Sequence, residues 1–255
     1  MLFDEPIVDC HVHYSKDAWN FISPRQVIDL FHRLGIERAL VSSIPDKGTQ
    51  DLYDLAPKMI IPEFMPYKVF DDVPSWFGDL SLVNYVEQSL RNVNCIGFGE
   101  FHLHGDEPKL PHIENLLRIS RERGLFLHAH SDPEAVVNLL EHDSGHKVIW
   151  AHAGLSSPPR VVRALLDRYG DRLWADLSYR YSDVAPGGRL DRVWGELLTD
   201  HSERFLLGSD TWINSVWGQL EALTNHSRRF LAQLPTEIAQ NIAYRNANNL
   251  FGPPA

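Results

Sequence analysis

The sequence predicts an α/β protein, a single-domain (β/α)8 TIM barrel, on three observations. Apolar or β-branched runs alternate with helical patterns along the whole chain, which favours a parallel sheet. Eight such runs fall within 255 residues, or about 32 residues per unit, which is the size of a βα repeat. A closed barrel of eight units has this length. An open doubly wound sheet is the alternative, but the G-x-G-x-x-G motif typical of it does not follow the first run.

Each predicted strand is an apolar run that ends at a turn signal, and a helix follows it. In chain order the strands are residues 7–14, 38–44, 60–67, 95–101, 125–130, 147–153, 173–179 and 204–208. The helices are residues 24–35, 50–56, 82–91, 111–123, 133–142, 158–169 and 188–200, followed by a mostly helical remainder to residue 249. Ser23-Pro24 and Asp132-Pro133 each combine an N-cap with a proline at the first helical position. The barrel is assigned to residues 1–252, with an irregular loop over 69–80 and a frayed tail at 253–255.

Composition excludes several classes of protein. The chain has 24 Lys and Arg against 34 Asp and Glu, a net charge of −10, which disfavours binding to nucleic acid or to an anionic membrane. Two cysteines, Cys10 and Cys95, are too few for a disulfide framework or a cysteine-rich zinc site. No apolar run is long enough for a membrane span, and the acidic first residues do not resemble a signal peptide. A cytoplasmic protein is therefore expected, and a homo-oligomer is compatible with the sequence.

Polar residues collect at the carboxyl ends of the predicted strands. In a barrel these ends converge on one face, where active sites are built. Residues two apart on a strand point to the same side, so His11 and His13 are both expected to face the interior. Imidazole nitrogens are suitable ligands for zinc and similar divalent ions. The residues of this kind are His11, His13, Glu100, His128, His130, His152 and Asp210.

Three segments that contain some of these residues resemble the metal-dependent amidohydrolase superfamily. They are D-C-H-V-H, V-I-W-A-H-A-G and L-L-G-S-D-T. The compact branch called the amidohydrolase-related, or amidohydrolase 2, family is the most similar, and its characteristic ending resembles residues 246–251, N-A-N-N-L-F. The resemblance covers nearly the whole chain. It implies the roles of several residues: metal ligands His11, His13, His128, His152 and Asp210, with Asp210 also the general base and His152 alternatively a catalytic, substrate-polarising residue. His130 is a weaker ligand candidate and is assigned to substrate binding.

Glu100 departs from the commonest pattern of the superfamily, which has a carboxylated lysine at the end of strand four. Gly99-Glu100 instead resembles the G-E of TatD-like members. A carboxylate at this position is predicted to bridge two metal ions, and the alternative is a structural hydrogen bond to a neighbouring strand. Zinc is the expected metal, as one or two ions, with manganese or another divalent ion as the alternative.

The resulting prediction is a metal-dependent hydrolase that uses metal-activated water to cleave a small carboxylic ester, lactone or amide. Two alternatives remain: a non-oxidative decarboxylase of the same superfamily and a TatD-like nuclease or phosphoesterase. A nuclease requires cations near the phosphates, which the charge of the chain disfavours. Arg180 is the candidate for binding a substrate carboxylate, or else it faces solvent. Trp212 is expected to contact a partly apolar small-molecule substrate.

Overall fold

The chain folds around eight parallel strands whose order in the sheet is their order in the sequence. We describe residues 2–252 from a computed structural model. The strands are β1 (Ile7–His13), β2 (Ile36–Ser42), β3 (Ile60–Phe64), β4 (Gly97–Leu103), β5 (Phe126–Ser131), β6 (Val148–Trp150), β7 (Leu173–Asp176) and β8 (Phe205–Leu206). Cys10 donates its backbone N–H to the Leu207 carbonyl at 2.8 Å, and Asp210 donates to the His11 carbonyl at 2.7 Å. These bonds join the last strand segment to the first, so the predicted (β/α)8 barrel is confirmed.

Among residues 2–252, eight helices connect consecutive strands on the outside of the barrel, and three more follow the last strand. They are α1 (Pro24–Leu34), α2 (Lys47–Leu55), α3 (Leu80–Asn92), α4 (Pro111–Glu122), α5 (Pro133–His142), α6 (Pro159–Tyr169), α7 (Tyr181–Val184), α8 (Arg192–Asp200), α9 (Asn214–Leu231), α10 (Thr236–Gln240) and α11 (Asn246–Phe251). The cap at Ser23 is a reciprocal capping box with Gln26, and Gly35 ends α1 with a φ of 66°, as a left-handed helix end requires. Within residues 2–252, no helix combines the length and hydropathy needed to cross a membrane.

Some predicted boundaries were wrong. The predicted strands at 147–153 and 173–179 end earlier, at Trp150 and Asp176. Beyond those ends the backbone leaves the ladder, with left-handed conformations at His152 (φ 56°) and Tyr179 (φ 58°). The helix predicted over 188–200 begins at Arg192. The loop over 69–80 contains only two short 3-10 turns before α3 begins. The tail at 253–255 lies outside the described residues.

Apolar side chains fill the lower part of the barrel interior, which is the part nearer the amino-terminal ends of the strands. Seven strands and the last helix contribute to this cluster: Val8, Cys10, Leu40, Ile61, Phe126, Ile149, Trp174, Leu206 and Ala247. A separate and larger apolar cluster lies between the strands and the helices, and each large side chain buried in it contributes about 1.5–3 kcal/mol to the free energy of unfolding. The helix residue Ala247 closes the amino-terminal end of the interior. Polar residues of the interior must therefore lie above this apolar cluster, toward the carboxyl ends of the strands.

Two register shifts bring polar residues into the interior. One interrupts the pairing of β1 with β2 between Asp9 and Val12, and the other interrupts the pairing of β4 with β5 between Phe98 and Phe101. Val12 packs in the outer apolar cluster, while Cys10 packs in the inner one, so the side that faces inward changes along β1. The Asp9 carboxylate accepts the backbone N–H of Ser209 at 3.0 Å and thereby reinforces the closure of the barrel.

Candidate metal centre

Four side chains converge at the carboxyl end of the barrel. The Nε2 atoms of His11 and His13 are 3.1 Å apart. Asp210 Oδ1 lies 3.2 Å from His13 Nε2 and 3.7 Å from His11 Nε2. Glu100 Oε2 lies 3.5 Å from both Nε2 atoms. Two imidazole nitrogens and two carboxylate oxygens thus surround one small volume, and all four residues were predicted as metal ligands.

The hydrogen-bond partner of each Nδ1 atom determines whether the Nε2 atom of the same imidazole carries a proton. His13 Nδ1 lies 3.2 Å from the Ser42 carbonyl oxygen, and His11 Nδ1 lies 3.3 Å from Asp176 Oδ2. Because these oxygens accept hydrogen bonds, each Nδ1 carries the proton and each Nε2 presents a lone pair. Two lone pairs facing each other repel unless a proton or a metal ion lies between them. Asp210 Oδ1 is also buried without a hydrogen bond, so this donor set fits a divalent metal.

A second group of donors lies on the other side of Glu100. Glu100 Oε1 is 3.0 Å from His130 Nδ1 and 3.2 Å from His152 Nε2, and these two nitrogens are 3.3 Å apart. The two oxygens of Glu100 therefore face different groups of ligands. This is the arrangement that a bridging carboxylate requires, and the bridging role of Glu100 stays a prediction.

Ser178 determines which nitrogen of His152 is available. The Ser178 hydroxyl donates to Asp176 Oδ1 in a short hydrogen bond, so it accepts from His152 Nδ1, which lies 2.7 Å away. His152 Nε2 is then a lone-pair donor to a metal, not a hydrogen-bond donor. Of the two predicted roles for His152, the geometry favours the metal ligand over the substrate-polarising residue.

The electrostatics of the cluster match a site that exchanges protons for metal. Burial lowers the pKa of His13, but the nearby carboxylates of Asp210 and Glu100 outweigh it and raise that pKa to about 9. Burial would raise the pKa of Glu100, but the positive charge of His11 overrides it and holds that pKa well below its usual range. Metal binding at such a site displaces protons, so metal affinity increases with pH.

Two residues of the cluster hold strained backbones. His152 and Asp210 have φ angles of 56° and 52°, in the left-handed region that non-glycine residues seldom adopt, at a cost of about 1–3 kcal/mol each. The next helix, α9, begins at Asn214, so Asp210 is not its N-cap. Such strain is typical of functional sites, where surrounding contacts hold a side chain in its working position.

The structure places His128 below this cluster. Its Nδ1 lies 3.2 Å from Glu63 Oε2 and its Nε2 lies 3.3 Å from Asp176 Oδ2. Burial lowers the pKa of His128, but the charge of Glu63 outweighs it and raises the pKa to about 9, so in the absence of metal both nitrogens are placed to donate to carboxylates. His11, His128 and Asp176 also lie close enough together to form a candidate set of ligand atoms, so the assignment of His128 as a metal ligand stays a prediction. His130, two residues further along the same face of β5, reaches Glu100 instead of acting only at the substrate.

Asp176 connects this lower group to the metal-ligand cluster. Besides His11 and His128, its carboxylate accepts the backbone N–H of His152 at 3.1 Å. Close packing around it requires a glycine at 208, because a Cβ there would lie 2.8 Å from the His11 Cβ and 3.0 Å from Asp176 Oδ1. Sequence reasoning missed Asp176 and Glu63. A charged residue inside each of the apolar runs L-W-A-D and I-I-P-E-F was the available signal.

A cavity of about 570 Å³ opens above the cluster. Its floor contains the metal-ligand candidates, and its walls are mostly apolar. The residues that form the walls are Ile44, Met65, Tyr67, Phe70, Val73, His102, Leu155, Tyr179 and Trp212. Trp212, predicted to contact substrate, donates its indole N–H to the Tyr179 hydroxyl at 2.8 Å. Among residues 2–252 the lining includes no lysine or arginine.

Arg180, the residue predicted to bind a substrate carboxylate, is placed elsewhere. It is buried, with its guanidinium 4.8 Å from the Trp194 ring centre. It donates to the carbonyls of Leu155 and Ser157 and pairs with Asp183 at 2.9 Å. Leu155 and Ser157 lie in the loop after β6, and Asp183 lies in α7, which follows β7. Arg180 therefore holds the loops together, which corrects both predicted roles, substrate binding and exposure to solvent.

Comparisons with known proteins agree with this geometry. Residues 96–252, more than half of the chain, match the model of the family described as amidohydrolase. No curated protein matches the sequence. Among solved structures, a 2,6-dihydroxybenzoate decarboxylase from Rhizobium is similar at a TM-score of 0.60 and 12% identity, over 97% of this chain and 98% of that one.

Two further solved structures are similar along their whole length. A probable 2-pyrone-4,6-dicarboxylic acid hydrolase from Acinetobacter baumannii, with citric acid bound, has a TM-score of 0.60 and 15% identity, over 96% of this chain and 99% of that one. An amidohydrolase from Burkholderia multivorans with bound zinc has a TM-score of 0.58 and 14% identity, over 98% and 100%. At these identities the likeness concerns the fold alone.

Proposed function

The chain belongs to the amidohydrolase family, and from this premise we propose that it is a metal-dependent hydrolase of a small, uncharged carboxylic ester, lactone or amide. The observation that carries the proposal is the position of the metal-ligand cluster at the floor of an apolar cavity of about 570 Å³. Cavities of this size enclose small molecules. The mostly apolar walls favour substrates without charge at their distal end.

The residues present divide the work of hydrolysis. His11, His13, Glu100, His130, His152 and Asp210 would hold one or two divalent ions. A bound divalent ion makes water a stronger nucleophile and polarises the substrate carbonyl. Burial would raise the pKa of Asp210, but the charge of His11 outweighs it and lowers that pKa. The ionised Asp210 carboxylate can then take a proton from the attacking water and pass it to the leaving group.

The lining of the cavity also separates this proposal from the two alternatives. A decarboxylase of aromatic acids and a phosphodiesterase both act on anionic substrates, for which arginine is the preferred partner. Arg180, the predicted partner, is bound to the loop carbonyls described above. An apolar wall that holds Met65, Phe70 and Trp212 instead suits an aryl or alkyl group. Hydrolysis of an uncharged substrate is therefore the reaction that we propose.

A reconstitution experiment tests the proposal. Metal-depleted protein is loaded with zinc or manganese and assayed on neutral aryl esters, lactones and anilides, with aromatic acids and phosphodiesters in parallel. Hydrolysis of a neutral substrate that needs the metal is the expected result. Release of CO2 from an aromatic acid, or phosphodiester cleavage, at a higher kcat/KM than any neutral substrate would contradict it. The His13→Ala variant is the inactive control. His104→Ala is the matched active control, because the His104 side chain is 59% exposed.

Zinc is the metal that we propose for the site, because imidazole with carboxylate suits it well. Metal analysis of the protein purified without added metal tests this choice. The small-molecule substrate, the cytoplasmic location and the homo-oligomer remain predictions from the sequence.

A further inference from the structure

A tyrosine–histidine pair outside the metal-ligand cluster shapes the cavity wall. Tyr67 and His102 face each other there, and His102 was not assigned a role from the sequence. The Tyr67 hydroxyl accepts the backbone N–H of His102 at 2.8 Å and lies 2.9 Å from His102 Nδ1. Tyr67 is only 1% exposed. Its hydroxyl is therefore held between two atoms of the same residue.

These two contacts decide the tautomer of His102. The Tyr67 oxygen already accepts one N–H, and within residues 2–252 the only acceptor near its own proton is His102 Nδ1. The hydroxyl must therefore donate to Nδ1, which is the unprotonated nitrogen. In a neutral imidazole the proton then lies on Nε2. His102 also stacks on His130, with ring centres 4.2 Å apart, so the ring is fixed from two directions.

We propose that His102 is a substrate-recognition residue, which presents an uncharged Nε2–H donor to the cavity and selects substrates with a neutral acceptor oxygen. His102 lines the cavity, and no hydrogen bond from Nε2 to the described residues is found. Carbonyl, ether and hydroxyl oxygens are the matching groups. This assignment rests on the proposed function, since it names the substrate class of that same cavity. Tyr67 is the positioning residue that fixes the donor.

The same tautomer separates His102 from the metal ligands. Glu100, His102 and His130 lie close enough together to form a further candidate set of ligand atoms. A ligating histidine must offer a lone pair, but Nδ1 is occupied by Tyr67 and Nε2 is protonated. His102 therefore binds substrate and not metal.

Nitrogen NMR of zinc-loaded protein with labelled histidine tests the tautomer directly. The His102 signals are identified by their loss in His102→Gln. We expect a protonated Nε2 and an unprotonated Nδ1, and a mixture of tautomers in Tyr67→Phe. A protonated Nδ1, or a zinc-bound Nε2, would overturn the proposal. Zinc content must also be the same in wild type and His102→Leu, and loss of an ion in that variant would make His102 a ligand.

Binding of two non-hydrolysable probes tests recognition. Acetophenone and α-methylstyrene have the same shape, but only acetophenone has an acceptor oxygen. The ratio of their affinities should fall about five- to tenfold in His102→Leu, the worth of one neutral hydrogen bond, and partly recover in His102→Gln. His104→Leu is the control that should leave the ratio unchanged. An unchanged ratio in His102→Leu would refute the proposal. Because neither probe is hydrolysed, this result is independent of whether the protein hydrolyses esters.

Discussion

Two layers of polar residues lie inside this barrel, and they use the same residue types differently. In the lower layer, His128 lies between two carboxylates, Glu63 and Asp176, and both its nitrogens have partners. In the upper layer, the Nε2 atoms of His11 and His13 face each other across 3.1 Å. In the lower layer carboxylates occupy both nitrogens of the histidine, whereas the facing Nε2 atoms of the upper layer need a proton or a metal ion between them. The partners of its two ring nitrogens therefore decide whether a histidine on a barrel strand can bind metal or instead orients a neighbouring residue.

The largest effect is expected from removing the first ligand pair. The double variant His11→Ala/His13→Ala should lose at least one metal ion per chain and all metal-dependent activity, because half of the donors around one ion are gone. Metal analysis after gel filtration measures the loss. His104→Ala should keep its metal. Equal metal content in the double variant and the wild type would show that the upper layer is not the metal site.

Asp210→Asn should separate chemistry from binding. The amide keeps the shape and one ligand oxygen but cannot accept the proton, so kcat should fall about 10²–10⁴-fold while most of the metal remains. Steady-state kinetics and metal analysis on the same preparation check this. A nearly normal kcat combined with a lower Tm would mean that Asp210 is only structural.

Glu100→Gln tests whether the upper layer holds one ion or two. The two oxygens of Glu100 face different groups of ligands, so the loss of its charge should reduce the content from two ions toward one and lower the rate. Titration of metal-free protein with zinc gives the stoichiometry. Unchanged stoichiometry and turnover would assign Glu100 to a structural hydrogen bond.

His128→Gln should affect how firmly the metal ligands are oriented, without removing a ligand. Metal stoichiometry at saturation should stay the same, while affinity falls about 10–100-fold, as for other residues that orient ligands. The free energy of unfolding should fall by about 3 kcal/mol, because the variant leaves buried carboxylates without their cation. Competition with a chelator and chemical unfolding measure the two effects. Loss of a whole ion would show instead that His128 is itself a ligand, as the sequence predicts.

The pH dependence of stability gives the smallest and most specific contrast. The pKa of His128 is about 9 against a usual value of about 6.5. Its contribution is therefore fully present below pH 6.5 and is lost as pH rises through 9, at most about 3 kcal/mol. His13 has a similar pKa when metal-free, but zinc displaces its proton. The stability advantage of zinc-loaded wild type over zinc-loaded His128→Gln should thus shrink between pH 6.5 and 9. Parallel slopes would contradict the charged state of His128.

The upper layer was largely predictable from the sequence, and the lower layer was not. H-x-H parity, the ends of apolar runs and the family resemblance pointed to His11, His13, Glu100, His152 and Asp210. Those signals are local, because a strand end is recognisable from its own residues. The choice between His128 and His130 depended on how far up the barrel each residue lies relative to other strands, and a single strand contains no such information.

The sequence by itself determined the eight-unit barrel, the family and most of the metal-ligand candidates, because each follows from periodicity or from short motifs. Only the tertiary structure decided which side of each imidazole is occupied. It placed Asp176 behind His11, Glu63 behind His128 and Tyr67 behind His102, all from strands or loops distant in the chain. In the tertiary structure Arg180 also donates to two loop carbonyls and does not face the cavity, contrary to the role predicted for it. Hydrogen bonding between distant segments fixes protonation and direction, and those two properties decide whether a residue binds metal, binds substrate or supports a neighbour.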